Sequence, residues 1–254
     1  ELKDINAHCD LEDERVKVYC QPVLNTRTNR FASAEALMRL ELPETGMVYP
    51  DQFIPMAERH DYIHTLSKII LNKTCRQIKR LEQEGYQIDR VSVNFSILEF
   101  RRKEFCKDVM DIIRQNETPY EKVAIELTES WNETEFDNIK NTITSLQKLG
   151  IKFYLDDFGT GYSNFERIIG LPIDVIKFDR SLTILAGKNA ESRYMVGSFS
   201  DIFKNSHYEI LFEGVENEKD EDQCKQMNAL YLQGYKYSKP IPIEELTRFL
   251  GRAV

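Results

Sequence analysis

Short apolar runs alternate along this chain with longer stretches whose apolar positions recur at helical spacing. Extended segments rich in β-branched and aromatic residues fall at 16–20, 31–37, 90–94, 122–126, 152–156, 175–177, 209–213 and 231–232. Between them, helices are predicted near 51–58, 62–84, 102–115, 134–149, 162–169, 189–205, 217–228 and 243–251. Asn132 and Asn217 stand where N-caps are expected, and Gly150 stands where a left-handed residue can close the helix at 134–149. About eight strand–helix units in 254 residues predict parallel strands joined by crossover helices, closed as a TIM-like (β/α)8 barrel. An open, doubly wound sheet is the alternative. No linker or low-complexity tract interrupts the pattern, so 1–254 reads as a single domain.

Barrel strands deliver functional side chains at their C-terminal ends. Those ends carry Glu35, Asn94, Glu126, Asp156, Asp157, Lys177, Glu213 and Gln233. Each taken alone is more often a surface residue, but the set puts an oxygen donor or a charge at the same end of nearly every strand. The most informative pair is Asp156-Asp157, inside LDDFGTGYSNF with glycines at 159 and 161. Neighbouring side chains on a strand point to opposite faces, so both aspartates can serve one site only where the strand ends and the backbone turns. Two adjacent anions are costly to bury unless cations neutralise them. Acidic groups outnumber basic ones in the set, so full internal pairing is difficult. Oxygen donors without a Cys/His cluster suit Mg²⁺ or Mn²⁺ rather than zinc.

The formal net charge of −8 argues against a general nucleic-acid binder, although it leaves room for a small anionic ligand met by metals and a few cations. Five scattered cysteines without CxxC spacing fit free thiols in a reducing, cytoplasmic setting. His60 and His64 lie four apart on an expected helix, with no third ligand nearby. No apolar run is long enough to span a bilayer. The chain begins at Glu1, and it is expected to be a piece of a longer protein whose sensor or membrane anchor would lie upstream.

These residues belong to an ordered series of motifs. Gln21-Pro22-Val23 precedes Glu35-Ala36-Leu37-Met38-Arg39, and Phe53-Ile54-Pro55, Val93-Asn94-Phe95-Ser96 and Glu126-Leu127-Thr128-Glu129 follow. Asp156-Asp157-Phe158-Gly159-Thr160-Gly161-Tyr162-Ser163, Leu171-Pro172, Lys177-Phe178-Asp179, Glu213-Gly214-Val215-Glu216, Gln233-Gly234-Tyr235 and Pro240 complete it. The series covers almost the whole chain and resembles EAL-domain cyclic-di-GMP phosphodiesterases.

The resemblance implies a TIM-like barrel with one antiparallel strand, and hydrolysis of cyclic di-GMP to linear pGpG with two divalent cations, Mg²⁺ or Mn²⁺. It makes Glu35, Asn94, Glu126 and Asp156 ligands of one cation. Asp156 would bridge to a second cation, which Asp157 also holds. Lys177 and Glu213 would flank the attacking water and, with Glu35, be the catalytic residues, Glu213 also counting among the metal-binding residues. Glu129 would tether the 158–163 loop, which contains Gly159 and Gly161. Gln233 and Glu216 would support the metal and water network, while Gln21, Arg39 and Asp179 would contact substrate. A homodimer and an upstream sensory or GGDEF domain are further implications.

Three positions depart from the family pattern. Phe212 replaces a small residue, His60-Asp61 replaces a glycine-containing step, and Cys20 lies where an aromatic is common. Phe212 is expected to fill core space. A cyclic-di-GMP receptor without turnover and a protein-interaction scaffold are the competing functions. The intact carboxylates favour the enzyme.

Overall fold

The computed structural model describes residues 1–128, 136–160 and 165–251, apart from the side chains of 165–167. In chain order the strands are β1 (Val16–Asn25), β2 (Arg30–Leu42), β3 (Gly46–Val48), β4 (Arg90–Asn94), β5 (Val123–Thr128), β6 (Lys152–Phe158), β7 (Val175–Phe178), β8 (Glu209–Phe212), β9 (Tyr231–Leu232) and β10 (Ile241–Pro242). The helices are α1 (Leu2–His8), α2 (Pro50–Arg59), α3 (Ile63–Gln83), α4 (Phe105–Gln115), α5 (Phe136–Gln147), α6 (Phe165–Gly170), α7 (Arg180–Lys188), α8 (Ala190–Asn205) and α9 (Glu218–Gln226).

Strands β2, β4, β5, β6, β7, β8 and β9 run parallel in that order. β1 pairs antiparallel with β2 on one side and β9 on the other, closing an eight-stranded barrel. β3 and β10 are short antiparallel additions to β2 and β1. The barrel and its one antiparallel strand match the expectation, and the open sheet is excluded.

Alternate residues of the parallel strands face the barrel axis. Val23, Ala124, Tyr154, Val175 and Leu211 form a buried cluster of their own, separate from the larger core between strands and helices. Two residues further along their strands stand Glu126, Asp156, Lys177 and Glu213. An apolar floor therefore underlies the polar end of the barrel.

Several expected boundaries shift. The segments at 16–20 and 31–37 extend into one long hairpin, Val16 facing Leu40 and Asn25 facing Arg30. Asn25 Oδ1 accepts the backbone N–H groups of Arg27 and Thr28 and so shapes its turn. The segment at 122–126 runs instead from Val123 to Thr128. The helix expected at 243–251 is a 3₁₀ helix at Ile243–Arg248. A separate helix, α7, precedes α8 and was not expected. His60 caps α2 and His64 lies in α3, so these residues do not share a helix face.

Asn217 does cap α9, accepting from the Asp220 N–H, and Gly150 has φ 108°. Asn132 lies outside the described residues. Phe212 is fully buried against Phe178, with ring centroids 4.7 Å apart, as a core residue should be. Asp61 adopts φ 59°, the left-handed region that a glycine at this step would occupy without strain.

Candidate active site

Lys177 organises the polar end of the barrel. Its side chain is 1% exposed, and Nζ lies 2.6 Å from Glu126 Oε2, 2.8 Å from Asp156 Oδ1, 2.8 Å from Glu213 Oε1 and 3.3 Å from Glu35 Oε2. Burial opposes the ammonium charge, but the surrounding carboxylates prevail and hold its pKa well above the usual lysine range. Four strands, β2, β5, β6 and β7, and the residue just after β8 supply these groups.

Glu35 accepts from Asn94 Nδ2 at 2.8 Å and from Gln233 Nε2 at 2.7 Å. Burial raises its carboxyl pKa, but Lys177 and these donors outweigh burial and leave it lowered. Glu126 is driven the other way, well above the usual carboxylate range, by burial and then by the charge of Glu35. Glu213 is pushed up to about 8 by burial, with Asp156 adding to the effect. One ammonium does not neutralise so many anions.

The Asp156-Asp157 problem is solved by a β-bulge. Leu155 pairs with Ile176 and Phe158 with Phe178, so three steps on β6 face two on β7. Asp157 takes φ 58° within that bulge. The extra residue rotates the backbone and brings both carboxylates to one site. Gly159 follows at φ 101°, where an added Cβ would lie 2.6 Å from Leu182 Cδ1.

Two carboxylate clusters result. Glu35, Glu126 and Asp156 each offer an oxygen within 4.8 Å of the others, and so do Asp156, Asp157 and Glu213. Asp156 belongs to both. Its Oδ1 is buried near the lysine yet accepts no well-formed hydrogen bond, leaving an anionic oxygen with coordination to spare. Fully ionised, the five carboxylates less the one ammonium would carry four negative charges, equal to the charge of two divalent cations. The donor set is all oxygen apart from the lysine, so it fits hard cations.

A cavity of about 680 Å³ opens on one side, with Asn94, Asp156, Asp157, Thr128 and residues of α2 in its wall. A smaller one of about 220 Å³ holds Gln21, Glu35, Glu213, Gln233 and Tyr235. Leu37 lines both, so the carboxylates lie between two adjoining spaces.

Other expected residues occupy supporting places. Gln21 is buried and donates to Ser238 O at 2.9 Å, while its Oε1 accepts from Gln233 Nε2 at 3.0 Å. The Arg39 guanidinium is held between the rings of Tyr19 and Tyr49, 5.6 and 5.2 Å from their centroids. Asp179 caps α7 by accepting from the Ser181 N–H at 2.8 Å. Glu216 pairs with Arg180 at 2.5 Å on the rim of the smaller cavity, and not with the carboxylate cluster. Glu129 and Gly161 lie outside the described residues.

Arg180, Glu58 and Glu99 were not singled out from the sequence. Arg180 lines the smaller cavity and Glu58 the larger. Glu99 had a readable signal, the Ser96-x-x-Glu99 capping box, which the structure contains.

The profile of the EAL domain family matches residues 5–240. Cyclic di-GMP phosphodiesterase PdeL of Escherichia coli K12 is 31% identical over 235 residues, covering 91% of this chain and 64% of PdeL. The signaling protein YkoW of Bacillus subtilis is 28% identical over 240 residues, covering 94% of this chain but only 30% of YkoW. This chain therefore spans under two thirds of the length of both relatives. Among solved structures, the PaMucR phosphodiesterase in complex with c-di-GMP superposes with a TM-score of 0.86 at 26% identity, covering 96% of this chain and 99% of that one. Together with the barrel and its carboxylate-lined end, these matches place the chain in the EAL-domain family.

Proposed function

We propose that this chain hydrolyses one phosphodiester bond of cyclic di-GMP to give linear pGpG, using two divalent cations, Mg²⁺ or Mn²⁺. The observation that carries this reading is the pair of oxygen clusters sharing Asp156, set between two cavities. Glu35, Asn94, Glu126 and Asp156 would hold one cation; Asp156 and Asp157, with Glu213 beside them, would hold the other. Bound there, the cations supply charge neutralisation and activation of a water molecule.

The chain's own groups do the remaining work. Lys177 holds the carboxylates in a fixed array and offers an N–H to an anionic oxygen. Glu213, placed beside the second cluster and 2.8 Å from Lys177, would accept the proton of the attacking water. Arg39, buried and set over the rings of Tyr19 and Tyr49, presents a planar guanidinium to a phosphate oxygen. Gln21 and Gln233 fix the Glu35 side of the site through their amides. The wider protein is proposed to work as a homodimer under an upstream sensory or GGDEF domain. Among the described residues, no helix is long and apolar enough to cross a membrane.

The test is incubation with cyclic di-GMP and Mg²⁺ or Mn²⁺, with a chelator control, and separation of products by chromatography. Cation-dependent pGpG is the expected result. Tight binding without product would make the chain a receptor, and absence of binding would leave only a scaffold.

A further inference from the structure

Behind the exit of β4 lies a second titratable cluster, which the hydrolytic chemistry does not use. Glu99 is 1% exposed, and its Oε2 accepts from the Ser96 backbone N–H at 3.0 Å and the Ser67 hydroxyl at 2.9 Å. His64 places Nδ1 3.3 Å from Glu99 Oε1 and Nε2 2.8 Å from Asp108 Oδ2. A neutral imidazole has a single N–H, so two ionised carboxylates on its two nitrogens are both satisfied only by the imidazolium form. Ser96 follows Asn94 by two residues, and its hydroxyl donates to Glu58 Oε1 of α2 at 2.6 Å. Asn94, Ser96, Ser67 and Glu58 all line the larger cavity.

We propose that His64 and Glu99 are positioning residues: protonated His64 holds the Glu99 carboxylate, Glu99 clamps the turn at Ser96, and the clamp sets Asn94 on the first cation site. This inference rests on the two-cation reading above. The charged groups facing His64 are Glu99 from the 3₁₀ turn at Ile97–Arg101, Asp108 from α4 and Arg102 beyond the turn, with Lys68 of α3 paired to Asp108. Hydrogen bonding to Glu99 raises the imidazole pKa, against burial and with help from Asp108. Burial raises the carboxyl pKa of Glu99, so the ionised form depends on the imidazolium beside it. Loss of a partner that orients a metal ligand commonly weakens metal binding by about 10–100-fold.

Calorimetric titration with Mn²⁺, from about pH 6 to about pH 9.5, tests this on wild type and His64→Gln, with the His64 titration followed by NMR. Below the His64 midpoint, His64→Gln is expected to bind about 10-fold more weakly. Above it the two proteins converge, because wild type has lost the same proton. Glu99→Gln keeps an acceptor for Ser96 and Ser67; it is expected to lose about threefold, and His64→Gln should add nothing in that background. If His64→Gln does not fold, Asp108→Asn replaces it and should move the affinity change to lower pH. A wild-type-to-variant ratio that is constant with pH, or an affinity change that Asp108→Asn leaves unmoved, overturns the proposal alone. Wild type that binds no Mn²⁺ overturns the two-cation reading and this proposal with it.

Discussion

Lys177 Nζ lies 2.6 Å from Glu126 Oε2, and both side chains are only 1% exposed. A buried ion pair is weak evidence of net stabilisation, but removing one partner strands the other charge. Lys177 touches four carboxylates, so its loss would strand more than one. Lys177→Met is expected to lower stability by about 3–5 kcal/mol in chelator at about pH 8. Mn²⁺ should restore part of that loss without restoring turnover. Urea unfolding with and without the cation checks both statements, and an unchanged midpoint in chelator would refute the first.

Asp157 offers a different kind of variant. Its pKa rises to about 6 through burial, then the charge of Asp156, so its ionised form opposes folding at neutral pH. Asparagine tolerates the left-handed backbone at this position and carries no charge. Asp157→Asn is therefore expected to melt no lower than wild type in chelator at about pH 8, while its Mn²⁺ stoichiometry falls from two to one. Calorimetric titration reads the stoichiometry, and two full sites in the variant would remove Asp157 from the second.

Asp157 and Glu213, pushed up to about 6 and about 8, both exceed the ordinary carboxylate range. For acids raised by folding, the contribution to stability is full at low pH and fades as pH climbs through the folded-state values. Cation-free protein should thus lose stability between about pH 4.5 and about pH 8. Cations compete with those protons, so their affinity should rise over the upper part of the same range. Loading one site at 100 times its dissociation constant adds about 2.7 kcal/mol, or roughly 5–10 °C in Tm for a chain of this size. Melting curves in chelator and in Mn²⁺ across that range should diverge as pH increases; parallel curves would contradict the linkage.

Gly159→Ala tests the loop that follows the bulge. The new methyl would meet Leu182 of α7, and the φ of 101° strains any residue with a Cβ. A loss of about 1–3 kcal/mol is expected, with second-cation binding weakened more than the first. Equal effects on both sites would show that the bulge does not depend on this turn.

The barrel was legible because strand ends and helical periods alternate so regularly, and because oxygen donors recur where strands stop. The site was legible as a set for the same reason. What sequence did not reveal were the devices that depend on register. Nothing in LDDF distinguishes a bulged strand from a straight one, although the bulge is what unites Asp156 and Asp157. Helix α7 escaped because Arg180–Lys188 is short and directly adjoins α8. Glu216 was expected, by resemblance, to support the metal and water network, and its pairing with Arg180 is a contact the sequence did not suggest. His64 and Glu99 meet 35 residues apart, a pairing that no local pattern encodes.

The join between β1 and β9 contains two residue pairs, Leu24 with Leu232 and Asn25 with Tyr231, against ten pairs between β1 and β2. This seam, as thin as the one between β8 and β9, leaves β9 lightly held on both sides, and breathing of the barrel should begin there. The amides of Gln21 and Gln233 bridge the same seam and end on Glu35. Opening the cylinder there would also release Glu35, a proposed cation ligand, so whatever loads the site should fasten the wall that contains it.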